Sequence, residues 1–510
     1  MSAHSRKYLI IAVAIVVVLA VLCVLVVPML VDLNRYRPQV AALLESSTGK
    51  PARIGRLHLT LFPHIAIRVD DFALENPKGF PPGDFFKTQR IDALLETGPL
   101  LHRQIVIQSL NVKGPVIHLL SNPAGRWNYE NPSTPAGKNP GAPQNGGPSF
   151  SLGTISQVNI GDGQVTIANL LPSGAMGPTY FDGRGISCRF RDVNINALSA
   201  PASSSGRSSG GRIIPASNNP APSVAHGSFR ADSLRFGNIQ ATSVDSGIQV
   251  FPKQTYLDNL ALKLAGGSVK GEAASDFSQE NPLFSARTSF QKIDVAQLLT
   301  AIPEARGKMS GTMAGNLDLA GEAAHSSDPL AGLRGTGKVS IRDGRLPTLQ
   351  LNKNLLVLVR VAGVGATSGD PASFSSISAD LNLANQQLAS QHITIVSNDL
   401  NVNASGVLNT AKSNLMKYAG TAMVPARQGG LTDLVANISG ATFANGKLSF
   451  PFELNGTLDN PRFSLKTGKG VLGGLGAPAR GGAQGSPAGN TIQNLMNLLQ
   501  EKKSTTTPPK

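Results

Sequence analysis

Short runs in which apolar and polar side chains take turns recur from residue 56 almost to the end of the chain, and a period of two leaves the backbone few choices. In Arg56-Leu57-His58-Leu59-Thr60-Leu61 the leucines fall on one side and the polar residues on the other, and Ile65, Ile67 and Val69 repeat this against Ala66, Arg68 and Asp70. Successive strand side chains point to opposite faces, so these runs predict half-buried strands. The pattern returns at Gly163–Ile167, Lys338–Arg342, Asp380–Leu383, His392–Ile395 and Phe450–Leu454. Gly, Asn, Asp or Pro separates most of them, as antiparallel hairpins and meanders require. The 54 glycines and 34 prolines favour a turn-rich, mainly β body over a helical one. Ile160-Gly161-Asp162-Gly163-Gln164-Val165 is echoed by Ile341-Arg342-Asp343-Gly344-Arg345-Leu346. An Asp-Gly pair supplies the positive φ of a tight turn, so both copies predict a strand–turn unit, and neither has the further carboxylates of a calcium loop.

A few segments read as helix. Leu33, Tyr36, Val40, Leu43 and Leu44 suggest a short helix over 32–49, ended by Gly49. Ile293–Leu299 suggests another, opened by Asp294. Asn352–Val361 fits strand or helix. Ile492, Leu495, Met496 and Leu499 suggest a short amphipathic helix over 490–503, before a polar tail at 504–510. It packs on the body more plausibly than it touches a membrane.

Tyr8 to Val31 is an almost unbroken apolar run, long enough to cross the ~30 Å hydrocarbon layer as a helix. It lacks the small-x-small site of a cleaved leader, and Leu22 before Cys23 does not suit a lipoprotein signal. Basic residues flank both ends (Arg6 and Lys7, then Arg35 and Arg37), so orientation rests on the short basic N-terminus staying cytoplasmic. The expectation is residues 1–7 inside, a single span over 8–31, and the rest outside the cytosol.

The chain then divides into β regions at 32–132, 150–198 and 226–466. Between and after them, 133–149, 199–225 and 467–489 are Pro-, Gly-, Ser-, Ala- or Asn-rich and read as linkers. The formal charge of +15 suits anionic headgroups as well as plain solubility. Aromatics at 5%, with no basic cluster among them, argue against nucleic acid. Cys23, inside the apolar run, is not placed to pair with Cys188.

No catalytic, metal or cofactor residues are expected, and no lipid-contacting residue is singled out. Gly206-Arg207-Ser208-Ser209-Gly210 matches a hydrolase elbow but sits in a linker, with no strand before it. Gly332 to Lys338 nearly matches a phosphate loop, but Val339 stands where Ser or Thr would hold magnesium. The eight histidines form no zinc-binding pair at helical spacing; His58 and His64 meet only if a hairpin brings them together.

Several blocks resemble the AsmA-like family. One is Arg53 to Phe80, with Phe62-Pro63 and then Asn76-Pro77-Lys78-Gly79-Phe80; another is Gly114-Pro115 followed by Asn122-Pro123-Ala124-Gly125-Arg126-Trp127-Asn128-Tyr129-Glu130. C-terminal blocks are Asp294-Val295 with Leu298-Leu299, Ser310-Gly311 with Leu317-Asp318-Leu319, Gly335-x-Gly337 running to Asp343-Gly344, and Pro451 to Pro461. The resemblance implies a bacterial inner-membrane anchor and a periplasmic body. It implies a long, curved antiparallel sheet forming a groove related to bridge-like lipid-transfer proteins, and no catalytic residues. Its implied partners are the membrane, phospholipid or another envelope lipid, and envelope assembly proteins; its implied role is outer-membrane lipid homeostasis. Assembly of outer-membrane proteins without lipid carriage is the alternative. Periodicity alone favours a sandwich core; the resemblance favours the groove.

Overall fold

The computed structural model describes chiefly residues 33–130, 149–199, 223–322, 332–347 and 372–472, with short gaps inside these spans. The expected membrane span at 8–31, the segment 352–361 and the helix at 490–503 lie outside the described residues. Among the described residues no helix is long and apolar enough to cross a membrane. The fold is mainly β. The chain divides into two units, the first ending at residue 337 and the second formed chiefly by residues from 338 onward.

The first unit opens with a 3-10 turn, Leu33–Tyr36, and helix α1, Arg37–Thr48. Gly49, at φ 66°, ends the helix by donating its N–H to Glu45 O. Its strands are β1 (Ala52–Thr60), β2 (Ala66–Glu75), β3 (Asp84–Leu95), β4 (Ile107–Lys113), β5 (Val116–Ser121), β6 (Thr154–Leu170) and β7 (Met176–Asn194). After them come β8 (Ala225–Phe236), β9 (Ile239–Phe251), β10 (Gln254–Leu264), β11 (Gly267–Asp276) and β12 (Leu283–Asp294). β1, β2 and β3 pair in turn, and β3 pairs with β4 and β5. β4 and β5 lie end to end along β6, parallel to it, and β6 through β12 form an antiparallel meander. Helix α2, Val295–Leu299, follows β12, and the Asp294 side chain accepts from Gln297 N, as the sequence predicts. The outer edge of β1 is capped locally: Leu57 N donates to Asn34 Oδ1 at 3.0 Å.

The Asp-Gly pair in β6 is not a turn. Asp162 has φ 56°, but the strand runs unbroken from Thr154 to Leu170; Asp343, at φ 50°, likewise lies inside β14 (Arg334–Arg345). The positive φ is as expected, yet the neighbours stay extended, so the chain bulges and does not reverse. Left-handed residues recur beside it. Asp71 (φ 55°) lies opposite Gln89, whose side chain fills the space at Gly114 (φ 62°), and Gly114 sits beside Asp162. Gly185 (φ 62°) lies against Asp232, which faces Ser243 (φ 52°). Together they make a crease across the sheet.

Two signature loops of the sequence are joined by buried amides. Asn128, fully buried, donates from Nδ2 to Asn76 Oδ1 (2.8 Å) and to His118 O (2.7 Å), while its Oδ1 accepts from Leu120 N (3.0 Å). Phe80 packs on buried Leu120, Ala168 and Leu170. Lys50 donates to Tyr129 O at 3.2 Å and lies over the Phe85 ring, and burial pulls its ammonium below the ordinary value.

The strands β13 (Ser310–Glu322) and β14 cross the division between units. The second unit continues with β15 (Ser373–Ala384), β16 (Gln387–Val396), β17 (Asn401–Asn409), β18 (Leu415–Pro425), β19 (Thr442–Ala444), β20 (Lys447–Thr457), β21 (Pro461–Thr467) and β22 (Gly470–Leu472). β15 to β18 pair consecutively, β18 pairs with β20, and β20 pairs with β19 and β21. β22 pairs with β21, so the expected linker at 467–489 begins as a strand, and the expected linker at 199–225 contains the pair Gly206–Arg207 with Ile213–Ile214. A bulge between β15 and β16 is pinned by Asp380, which accepts from His392 N (2.7 Å) and Ser390 Oγ (3.0 Å). These donors, led by the His392 amide, hold its carboxyl down at about 2.

Two outcomes test this account. Asp162→Gly should fold normally, while Asp162→Val, which forces a branched side chain to positive φ, should lose about 1–2 kcal/mol in urea unfolding. Because the Asp380 pKa is depressed, its stabilising effect is complete at neutral pH and is lost as pH falls from the ordinary 3.8 toward about 2. Asp380→Asn should flatten the acid limb of a stability–pH curve.

Candidate functional site

In the first unit, directly opposed residues form rows that cross the sheet at right angles to the strands. Leu59, Ile67, Ala93, Leu110, Val158 and Phe190 are successive partners, and the row continues through Gly227, Ile248, Leu257, Ala273 and Ala286. The neighbouring row runs Leu57, Val69, Ile91, Val112, Ile160, Cys188 and Phe229. Opposed residues share a face, so both rows lie on one side of the sheet. Ten steps of ~4.8 Å carry the first row over roughly 50 Å of contour.

The crease keeps that side apolar along the strands as well as across them. Beyond it the apolar positions change parity: Val69 gives way to Phe72 and Leu74, and Ile160 to Val165 and Ile167. An ordinary strand would send these groups to opposite faces. The left-handed residue resets the alternation, as β7 demonstrates. A Cβ built on Gly183 lies 3.0 Å from Ile186, 3.2 Å from Leu234 and 3.3 Å from Phe181, so side chains from both sides of Gly185 meet on one face.

The opposite face carries an ionic lattice. Arg68 pairs with Asp92 at 2.6 Å, Arg90 with Asp70 at 3.2 Å, and Arg230 with Asp245 at 2.6 Å. Arg184 and Arg235 both engage Asp182, at 2.9 and 3.1 Å, and hold its carboxyl below the usual range. Arg53 pairs with Asp84 and Glu75. Exposed pairs of this kind contribute little each, but they fix which face stays wet. His58, in this lattice, sits opposite Arg68 and 3.3 Å from Asp70, and it does not face His64. Among the described residues no cluster of His, Cys, Asp or Glu is placed to hold a metal ion. Gly206–Arg207 of the elbow-like motif pairs with Ile213–Ile214, whereas Ser208 lies outside the described residues. Strand β14 runs through the lysine of the phosphate-loop-like stretch, as the sequence predicts.

The two units treat their apolar faces differently. In the second, Leu448 and Phe450 are fully buried and Phe452 nearly so, in one cluster with Val402, Met416, Ala422, Val424 and Leu465. Ala436, Ala441 and Phe443, from the segment between β18 and β20, pack against them, Phe443 as the ladder partner of Leu448, and Phe452 stacks on Phe463 at 5.3 Å. Among the described residues this is the largest buried apolar cluster. In the first unit most row members, Val69, Ile91, Leu110, Val158 and Phe190 among them, are only half-buried. Among its described residues, the buried apolar clusters are small, of two or three residues each. A chain whose rows met a second layer would bury them fully.

Leu59 and Ile67 are legible in the sequence as strand-face residues and fall in one row. The part of Cys188 is not legible, because nothing local marks the face of its strand. Its thiol lies within the apolar row, and burial pushes it up to about 11. In a Cys23→Ser background at pH 8, maleimide should therefore modify Cys188 roughly a hundredfold more slowly in the folded protein than in urea. Equal rates would mean that water reaches this face freely.

Neither the curated proteins nor the solved structures yield a match to the chain. Residues 2–170 match the family model described as the AsmA family. The match takes in both loops joined through Asn76 and Asn128 and ends at the last residue of β6. Over residues 2–170, which hold the first five strands of the apolar rows, the chain is similar to the AsmA family.

Proposed function

We propose that this protein binds or transfers lipid by laying acyl chains on the apolar face of its first unit, and that it does so from a bacterial inner-membrane anchor, in the periplasm, in support of outer-membrane lipid homeostasis. One observation carries the reading: apolar rows continue across eleven successive strands yet remain half-buried. Each methylene moved from water onto such a face gains about 0.8 kcal/mol, so a single acyl chain supplies ample affinity without any polar contact. A row that runs across strands, with no polar step in it, lets a chain slide from one strand to the next at little cost. The apolar run Tyr8–Val31 supplies the span that tethers the sheet to the bilayer. The match of residues 2–170 to the AsmA family model supports an envelope role. No bond-making chemistry is assigned to the protein in this reading.

The two faces of a strand provide internal controls. Benzoylphenylalanine placed at Ile67 or Leu110, in membranes containing the full chain, should give phospholipid photoadducts several times more often than at Arg68 or Asn111. Equal labelling of both faces, or no lipid adduct at any position, would sink the proposal. Adducts to protein alone at Ile67 and Leu110 would favour the assembly role.

A further inference from the structure

Arg189 and Arg191 on β7 have no carboxylate partner among the described residues, in contrast to the paired arginines around them. Both line a hollow of about 660 Å3 on the polar face, together with His226 and Ser228 of β8 and Gln249 and Phe251 of β9. The register explains the hollow. Arg189 faces Ser228, which faces Gly247, which faces Asp258, so two small residues form the floor between longer walls. A methyl group at Gly247 would collide with the Asp258 carboxylate. Asp258 is the one carboxylate of the lining, and it is engaged by Gln249 Nε2 at 3.0 Å. His226 lies 3.9 Å from Asp192, outside the lining. Two guanidinium groups against one occupied carboxylate leave the hollow positive.

We propose that this hollow binds a phosphomonoester. Residues two apart on a strand face lie roughly 7 Å apart, so both guanidinium groups reach a single anion between them. A carboxylate has two oxygens and is satisfied by one bidentate guanidinium, whereas a phosphomonoester offers three terminal oxygens and up to two charges. The volume exceeds that of a bare phosphate, and the Phe251 ring gives the esterified group an apolar wall. Gly227 and Ile248 of the first apolar row also contribute to the lining, while Arg189 and Arg191 alternate with the row residue Phe190 and so belong to the opposite face. Two sources fit the chemistry: a soluble ester, or a lipid headgroup at a bilayer surface. The row holding Arg189 begins at His58, next to Leu57, whose N–H meets Asn34 just after the apolar run.

The test uses the full chain in maltoside micelles, with calorimetric titration of glycerol 3-phosphate, and flotation with phosphatidylcholine vesicles with or without phosphatidic acid. Binding to glycerol 3-phosphate is the result expected for a soluble ester, and flotation that needs phosphatidic acid is the result expected for a headgroup. In either assay Arg189→Gln with Arg191→Gln should weaken binding at least tenfold, at roughly a factor of ten per lost charged hydrogen bond. Arg56→Gln, on the same face but outside the hollow, should leave binding unchanged. Absence of binding in both assays overturns the proposal, as does equal loss in Arg56→Gln or equal flotation without phosphatidic acid. Photoadducts at Ile67 should persist in the double variant, which keeps this site's failure distinct from that of the apolar face.

Discussion

Strand alternation is a local rule, and everything in the first unit depends on its being overridden in register. A strand that bends or bulges alone loses its facing, because one extra turn of the backbone sends every later side chain to the other side. Here the irregularity is shared. Asp71, Gly114, Asp162, Gly185 and Ser243 take left-handed backbone at adjoining positions, so neighbouring strands reset together and the hydrogen-bond ladder survives. The result is a sheet with one apolar side on both flanks of the crease, and a wet side held by arginine–aspartate pairs.

The consequences differ in the two units for a reason that can be traced to a few residues. Phe450, Phe452 and Leu454 alternate in the same way as Leu57 and Leu59, but they join a large buried cluster to which Ala436, Ala441 and Phe443 also contribute. Around Leu110 and Val158 the described residues supply no such cluster, and the extensive contacts of those strands are with their ladder neighbours. The same pattern of side chains therefore makes a core in one place and a half-open surface in the other.

Much of this was readable beforehand. Period-two runs gave the strands, Gly49 and Asp294 gave helix boundaries, and the residue pattern within Asn76–Phe80 and Asn122–Glu130 pointed to a family without revealing why those loops matter. Their role appears only when Asn128 is seen buried against Asn76, a contact between residues 52 apart in sequence. The Asp-Gly pairs were misread as turns because positive φ is common to turns and bulges, and only the partner strands decide between them. Arg189 and Arg191 carried no signal at all. An arginine's significance on this face lies in whether an aspartate stands opposite, which is a property of register and not of local sequence.

The point where the family match ends has a consequence for how such a chain can vary. Before β6 the sheet holds a parallel joint that sets β4 and β5 along one strand, so neither of those strands can be removed without unmaking it. From β6 to β12 each strand pairs with the next in sequence. A hairpin gained or lost there would lengthen or shorten the apolar track by about 10 Å and leave every remaining row intact. The first unit thus combines a headpiece tied by that joint with a stretch whose reach is adjustable in units of two strands, a form of modular growth open to a sheet but not to a closed barrel or a sealed sandwich.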